Sequence, residues 1–264
     1  MPQQPGTIVH YLDDFDLPRF LPVAAGFGHD RYGFVVTPNV DHLIRCHDDA
    51  SFREIYGAAS FVLLDSRVAA RLLRLFKALT VPVCPGSDLT AELFAKVIHP
   101  SDRIVVIGGS AQQAKMLARS RGLSDLRHHE PPMGFIRDRA AVEHCLQFIE
   151  DASPFRFCFL AVGSPQQEIL AHSLWQRAHA RGLALCVGAS LNFLTNVERR
   201  APTWMQYAGL EWLYRLLHAP RRMAYRYLVR GPRFFAQLFS SRFVLRAADY
   251  QRSDRGGWGK SLCE

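Results

Sequence analysis

The residues of this sequence that could do chemistry gather in five short stretches, each closing an apolar run. Asp65 ends SFVLLD (60–65), and Thr37, Pro38, Asn39 and Asp41 close GFVVTPNVD (33–41). Gly108, Gly109 and Ser110 close IVVIGGS (104–110). Gly163, Ser164, Gln166, Gln167 and Glu168 follow FRFCFLA, and Gly188, Ala189, Asn192 and Asn196 follow LALCV. A carboxylate directly after an apolar strand lies at a sheet edge, partly shielded from water, where it can take a proton from an attacking hydroxyl. Aspartate is also a good helix N-cap, and position alone does not choose between the two. The glycine turn can bring helix N–H groups to a phosphate. It is not GxGxxG, and an ordinary tight strand-to-helix turn fits it equally. The amides of VGSPQQE can meet a sugar or a base edge, or can cap a helix and face water. Metal chemistry has little support. In His128-His129-Glu130 adjacent side chains diverge on a strand or a helix, and no HExxH or HxxxH spacing occurs. No GxSxG marks a serine nucleophile.

These residues need elements to position them. The pattern predicts strands at 33–37, 60–65, 81–84, 104–109, 155–163 and 183–190. It predicts helices at 40–57, 66–79, 86–97, 110–121 and 167–180, with Ser87 as a cap for the third and Gly122 and Gly182 closing the last two. Residues 1–30 are broken by Pro and Gly and give no clear element, and none is assigned over 123–154. Strands alternating with helices make a mainly parallel sheet covered on both faces, a Rossmann-like α/β core. Ligands of such sheets bind beyond the carboxyl ends of the strands, where the unusual residues lie. The expected organisation is a core over 1–198, a basic, aromatic helical appendage over 199–248 and an unstructured tail over 249–264.

The appendage holds most of the charge asymmetry. The chain carries a formal net charge of +8, and between Trp212 and Ala248 it has eight arginines and no Asp or Glu. Arg222, Arg226 and Arg230 recur every four residues beside Met223 and Tyr227. A following helix is expected to carry Arg242 and Arg246 beside Phe235 and Phe239. Aromatics suit a headgroup layer, and arginine suits anionic lipid or diphosphate. A nucleic-acid arm or a packed subdomain with a solvated basic face would also produce such a pattern. No nucleic-acid motif supports the former, so no nucleic acid is expected as a partner. The six cysteines form no CxxC, and the N-terminus has no basic start or long apolar run. No 18-residue apolar run is present. These features predict a cytosolic protein without a membrane-spanning helix.

Seven blocks together resemble one family: VTPNVDHL (36–43), GSDL (86–89), VIGGS (106–110), VGSPQQE (162–168), GASLNFLTN (188–196), RRAP (199–202) and GLEWLYRLLHAPRR (209–222). The chain is similar to bacterial WecG/TagA/CpsF-type glycosyltransferases, which build cell-surface polysaccharides, over roughly residues 30–248. The last block is the most specific. The resemblance implies a UDP-sugar donor, which is a substrate and not a cofactor, and a polyprenyl-diphosphate-linked sugar acceptor, met by peripheral contact with the inner face of the cell membrane. It implies inversion at the anomeric centre without a bound metal. Carried over by motif, the base falls on Asp65, the groups near the reacting sugar on Thr37, Asn39 and Gln167, and the arginines that approach diphosphate on Arg221 and Arg222. Gly108, Gly109, Ser110 and Gly163 are the candidate nucleotide contacts. The chain departs from the family at Ser66, where a glycine is usual, and at Leu191-Asn192, Asn196, Arg199-Arg200 and Ala219. Those departures leave the donor sugar open. They also support a rival reading, a non-catalytic nucleotide-binding regulator with a membrane-docking arm. A homo-oligomer is compatible with the apolar appendage. The core is expected to fold without the residues beyond about Arg200.

Overall fold

The computed structural model describes residues 7–188, 190–195, 211–218 and 231–247, together with Pro202 and Met205. Six strands form one parallel sheet. They are β2 (Tyr32–Val36), β3 (Phe61–Val62), β4 (Arg103–Ile107), β5 (Asp125–His129), β6 (Phe157–Leu160) and β7 (Gly182–Cys186), and their order across the sheet is β3-β2-β7-β6-β4-β5. The central strands are continuous apolar runs because both faces are covered. Successive side chains feed two cores. Phe34, Val36, Cys158 and Leu160 enter one, and Val35, Phe157 and Phe159 enter the other. On the first face lie α2 (Val40–Asp48), α3 (Ala50–Ala58), α4 (Arg67–Lys77), α7 (Arg139–Asp151) and α8 (Gln166–Arg177). On the second lie α1 (Leu17–Gly26), α5 (Gly86–Glu92), α6 (Ala111–Arg121) and α9 (Ser190–Leu194). The Rossmann-like α/β core expected from the sequence is the fold observed.

Several elements differ from the expectation, each for a local reason. The single helix over 40–57 is two, because Asp49 leaves helical geometry and its carboxylate accepts from Ser51 N and Phe52 N, capping α3. Ser87 does not cap α5. The helix starts at Gly86 behind Pro85, without a side-chain cap. The helix over 167–180 stops at Arg177, where Ala178 turns left-handed, and Gly182 opens β7. The unassigned segment 123–154 holds β5 and α7. The unassigned N-terminus holds β1 (Ile8–Asp13) and α1.

The largest correction is at the C-terminal end. Of the helices expected there, α10 (Glu211–His218) and α11 (Gly231–Ser240) are present, but the chain does not stay helical to 248. Residues Ser241–Arg246 are a strand, β8, paired in parallel with β1 from Ile8↔Ser241 to Asp13↔Arg246. Arg242 and Arg246 are therefore strand residues and share no helical face with Phe235 and Phe239. Arg246 meets Asp13 at 2.5 Å with both side chains nearly buried, and the other Asp13 oxygen accepts from Val62 N at 2.6 Å. One carboxylate thus ties β1, β8 and the sheet edge at β3. Phe234 and Leu238 of α11 are fully packed into the first core. Residues beyond 230 supply core packing, which counts against a core that stands without them. The segments 196–201, 219–230 and 248–264 lie outside the described residues. With them lie the expected tail and Asn196, Arg199, Arg200, Ala219, Arg221, Arg222, Met223, Arg226, Tyr227 and Arg230.

Candidate active site

The carboxyl ends of five adjacent strands form a row. In sheet order they present Asp65 after β3, Thr37 and Asn39 after β2, Gly188 after β7, Gly163 to Gln167 after β6, and Gly108 to Ser110 after β4. Strands lie about 4.8 Å apart, so the ends of the row are separated by roughly 19 Å. A ligand that uses the whole row has to be extended and chemically different at its two ends.

At one end, Asp65 is anchored by its backbone and its side chain. Its N–H donates to Pro38 O at 2.9 Å, which fixes it against the β2 loop. Its Oδ1 accepts from Gly86 N at 2.8 Å. It does not cap α4: Ser66 does, accepting from Ala69 N at 3.1 Å. The residue that replaces the family's usual glycine thus takes the structural job and leaves the carboxylate beside it at the strand end. Thr37 packs on the same glycine. A Cβ at Gly86 would lie 3.0 Å from Thr37 Oγ1, which in turn donates to Cys186 O at 3.2 Å. Asn39 is committed as the cap of α2, accepting from Asp41 N and His42 N at 3.0 and 3.3 Å. Arg67 reaches Asp88 at 3.7 Å and links the starts of α4 and α5. Burial first, and then the charges of Asp65, Asp88 and Asp16, push the Cys84 thiol up, so it is no nucleophile at neutral pH.

In the middle of the row Gln167 acts as a clip. It is 3% exposed. Its Oε1 accepts from Gly188 N at 2.8 Å, its Nε2 donates to Glu168 Oε1 at 2.9 Å, and its N–H donates to Gly163 O at 3.0 Å. Glu168, fully buried, fixes the amide's orientation. Burial first, and then the charge of Glu168, hold the Tyr56 phenol well above its ordinary pKa.

The far end is the topological switch point. The chain leaves β4 outward to β5, while its neighbour β6 sends it the other way to β7. The opposed crossovers open a crevice between the ends of β4 and β6. Gly108 lines it with φ +97°, and a Cβ there would sit 2.8 Å from Ala161 O. Only glycine lets these two strand ends approach so closely. His128 Nε2 lies 3.2 Å from both Gly108 O and Gly109 O. Both partners are carbonyls, so the ring nitrogen donates. Ser110 caps α6 in a reciprocal box: Gln113 N donates to Ser110 Oγ, and Ser110 N donates to Gln113 Oε1 at 2.7 Å. Gln113 Nε2 then reaches Asn192 Oδ1 at 3.0 Å, joining the glycine turn to α9.

The structure therefore brings Thr37, Asn39 and Asp65 together at one end, Gly108, Gly109 and Ser110 at the other, and Gly163 and Gln167 between. Sequence reasoning missed Gly86, His128, Gln113 and Glu168 as supports. Of these, Glu168 is visible in VGSPQQE but not as a buried support, and Gln113 left a readable signal, the Ser-x-x-Gln spacing from Ser110. Among the described residues no three His, Cys, Asp or Glu side chains are placed to share a metal ion. The sequence does hold one Asp-x-Asp spacing that could suggest a metal site, Asp14-Phe15-Asp16, but there Asp14 pairs with Arg19 at 3.3 Å and Asp16 caps α1.

A sequence model of the glycosyl transferase WecG/TagA/CpsF family matches residues 12–248. The match covers most of the chain, and the protein belongs to that family of glycosyltransferases, which act in cell-surface polysaccharide synthesis.

Proposed function

We propose that this glycosyltransferase moves a sugar from a UDP-sugar to a polyprenyl-diphosphate-linked sugar, with inversion at the anomeric carbon and without a metal. The observation that carries the reading is the Asp65 carboxylate, held at the end of β3 by Gly86 N–H and neighboured by Thr37. Inversion needs one base. Asp65 takes the proton from the acceptor hydroxyl as its oxygen bonds to the donor's C1, and the C1–O bond to the diphosphate breaks on the opposite side. The length of the strand-end row supports a two-part donor, with the nucleotide in the β4/β6 crevice and the sugar toward Asp65. Thr37 and the loop held by Gln167 lie along that path. Charge developing on the leaving UDP is met by N–H groups at the glycine turns and by Arg221 and Arg222, which the family resemblance assigns to diphosphate.

The acceptor's lipid places the reaction at the inner membrane face, reached peripherally; among the described residues no helix is long and apolar enough to cross a membrane. The test is UDP release from a panel of UDP-sugars with a short-chain lipid-diphosphate-sugar acceptor, with the product anomer read by NMR. Release is expected to require one donor and the acceptor together, to give the inverted anomer, and to be unchanged by EDTA. UDP binding without transfer from any donor would point instead to a nucleotide-binding regulator. A retained anomer would remove the single-base mechanism.

A further inference from the structure

Helices α4 and α11 meet on the first face of the sheet and turn a shared surface outward. On α11, Phe234, Gln237 and Leu238 face inward, while Phe235 and Phe239, one turn apart, remain 44% and 66% exposed. Phe76 of α4, 40% exposed, stands between them, with ring centroids 6.0 and 5.8 Å away in edge-on contact. Leu75, 74% exposed, extends the apolar surface. Neither helix contains an Asp or Glu, and Arg71, Arg74 and Arg233 are exposed on them. Among the described residues, Asp48 accepts from Gln237 at 3.1 Å, on the opposite side of α11 from the two phenylalanines.

An apolar aromatic cluster flanked by cations on two helices without acids is complementary to an anionic bilayer, where rings enter the headgroup layer and cations pair with phosphate. A water-facing surface would mix charge signs, and a self-interface would need acids to oppose these arginines. We infer that the α4–α11 face, through Leu75, Phe76, Phe235 and Phe239 with Arg74 and Arg233, docks the protein on an anionic lipid bilayer. The inference rests on the proposed lipid-linked acceptor and adds that the α/β core itself, through α4, contacts the membrane. The same helix starts two residues after Asp65. At 1.5 Å per residue, Phe76 lies about 16 Å along it from the base. An acceptor then keeps its lipid in the bilayer while its diphosphate and sugar span about one helix length.

The test is sedimentation of the full chain with vesicles of phosphatidylglycerol and phosphatidylcholine, compared with phosphatidylcholine alone. Wild type is expected to bind the anionic vesicles and to lose affinity with added salt. The double variants Phe235→Ser/Phe239→Ser and Arg74→Glu/Arg233→Glu should each weaken binding about tenfold or more. Both change exposed residues, so their thermal unfolding should stay close to wild type. Turnover on a short-chain, water-soluble acceptor should be unchanged, while turnover on a long-chain acceptor in vesicles falls. Absence of vesicle binding by wild type, or a loss under about twofold in both variants, overturns the inference. So does loss of self-association in the variants with vesicle binding intact, which would make the face a subunit interface. Failure of wild type to turn over even the short-chain acceptor would sink the proposed activity and leave the vesicle result to decide the docking face.

Discussion

A general base has to be held in place without being consumed by the structure that holds it, and Asp65 and Ser66 divide that work. The serine closes the first turn of α4, and the aspartate keeps its carboxylate at the strand end with Gly86 N–H on one oxygen. Asp65→Asn retains an oxygen that can accept from Gly86, so the fold and the nucleotide crevice should survive. It cannot take a proton. Transfer is expected to fall by about 100-fold or more, with UDP affinity within about twofold of wild type. Steady-state UDP release and calorimetric UDP titration check the two halves, and wild-type turnover by the variant would remove Asp65 from the mechanism. At this scale the sequence places Asp65 at a strand end but does not separate base from cap. That choice depends on which of two adjacent side chains the first helical turn accepts. Glu168 illustrates the same limit. Its spacing within VGSPQQE is plain, but its burial beneath the Gln167 amide depends on the packing of α3 and α8.

Elements are legible where burial on both sides writes an unbroken apolar run, as in IVVI of β4, FCFL of β6 and LALC of β7. The edge strand β5 is not legible in this way. Its sequence, DLRHH, is polar and half-exposed, and Asp125 holds Arg103 and Arg127 at 2.7 Å each, which suits an unpaired edge. β8 reads as helix in the sequence because an Arg spacing of four fits a helical face and one side of a strand alike. The glycine turn is legible as a turn, but its purpose is a contact between elements: Gly108 lets β4 and β6 close on one another. Gly108→Ala combines a positive φ with a Cβ 2.8 Å from a backbone oxygen, which cannot move cheaply. At Gly109 a Cβ meets only the flexible end of Gln113, at 3.2 Å. Gly108→Ala should therefore cost about 3 kcal/mol or more and weaken UDP binding, and Gly109→Ala about 1 kcal/mol. Urea unfolding and UDP titration of both variants check the order, and equal losses would show that the close approach at Gly108 is not what holds the crevice.

For the molecule as a whole, the two ends of the family-matched region are clasped together by β1 and β8, and the clasp contains a titrating group. His10 of β1 is buried, stacked 4.9 Å from Phe243 of β8 and 6.5 Å from His47 of α2. His47 Nδ1 lies 2.9 Å from Ser241 Oγ. Burial first, then the neighbouring His47 and Arg53, lower the His10 pKa from 6.5 to about 4. The folded protein therefore holds His10 neutral, and between pH 6.5 and 4 the unfolded chain binds the extra proton. Stability contributed by the neutral ring is complete above about pH 6.5 and is lost as pH falls through that window, by up to roughly 3 kcal/mol below pH 4. His129 and His172, also lowered chiefly by burial, act in the same direction. His10→Phe keeps an aromatic ring against Phe243 and removes the proton site. Its urea midpoint should fall less than that of wild type between pH 7 and pH 4.5, and hydrogen exchange at pH 4.5 should show β8 amides opening sooner in wild type than in the variant. Parallel midpoints for the two proteins across that range would mean that the clasp does not carry the acid sensitivity.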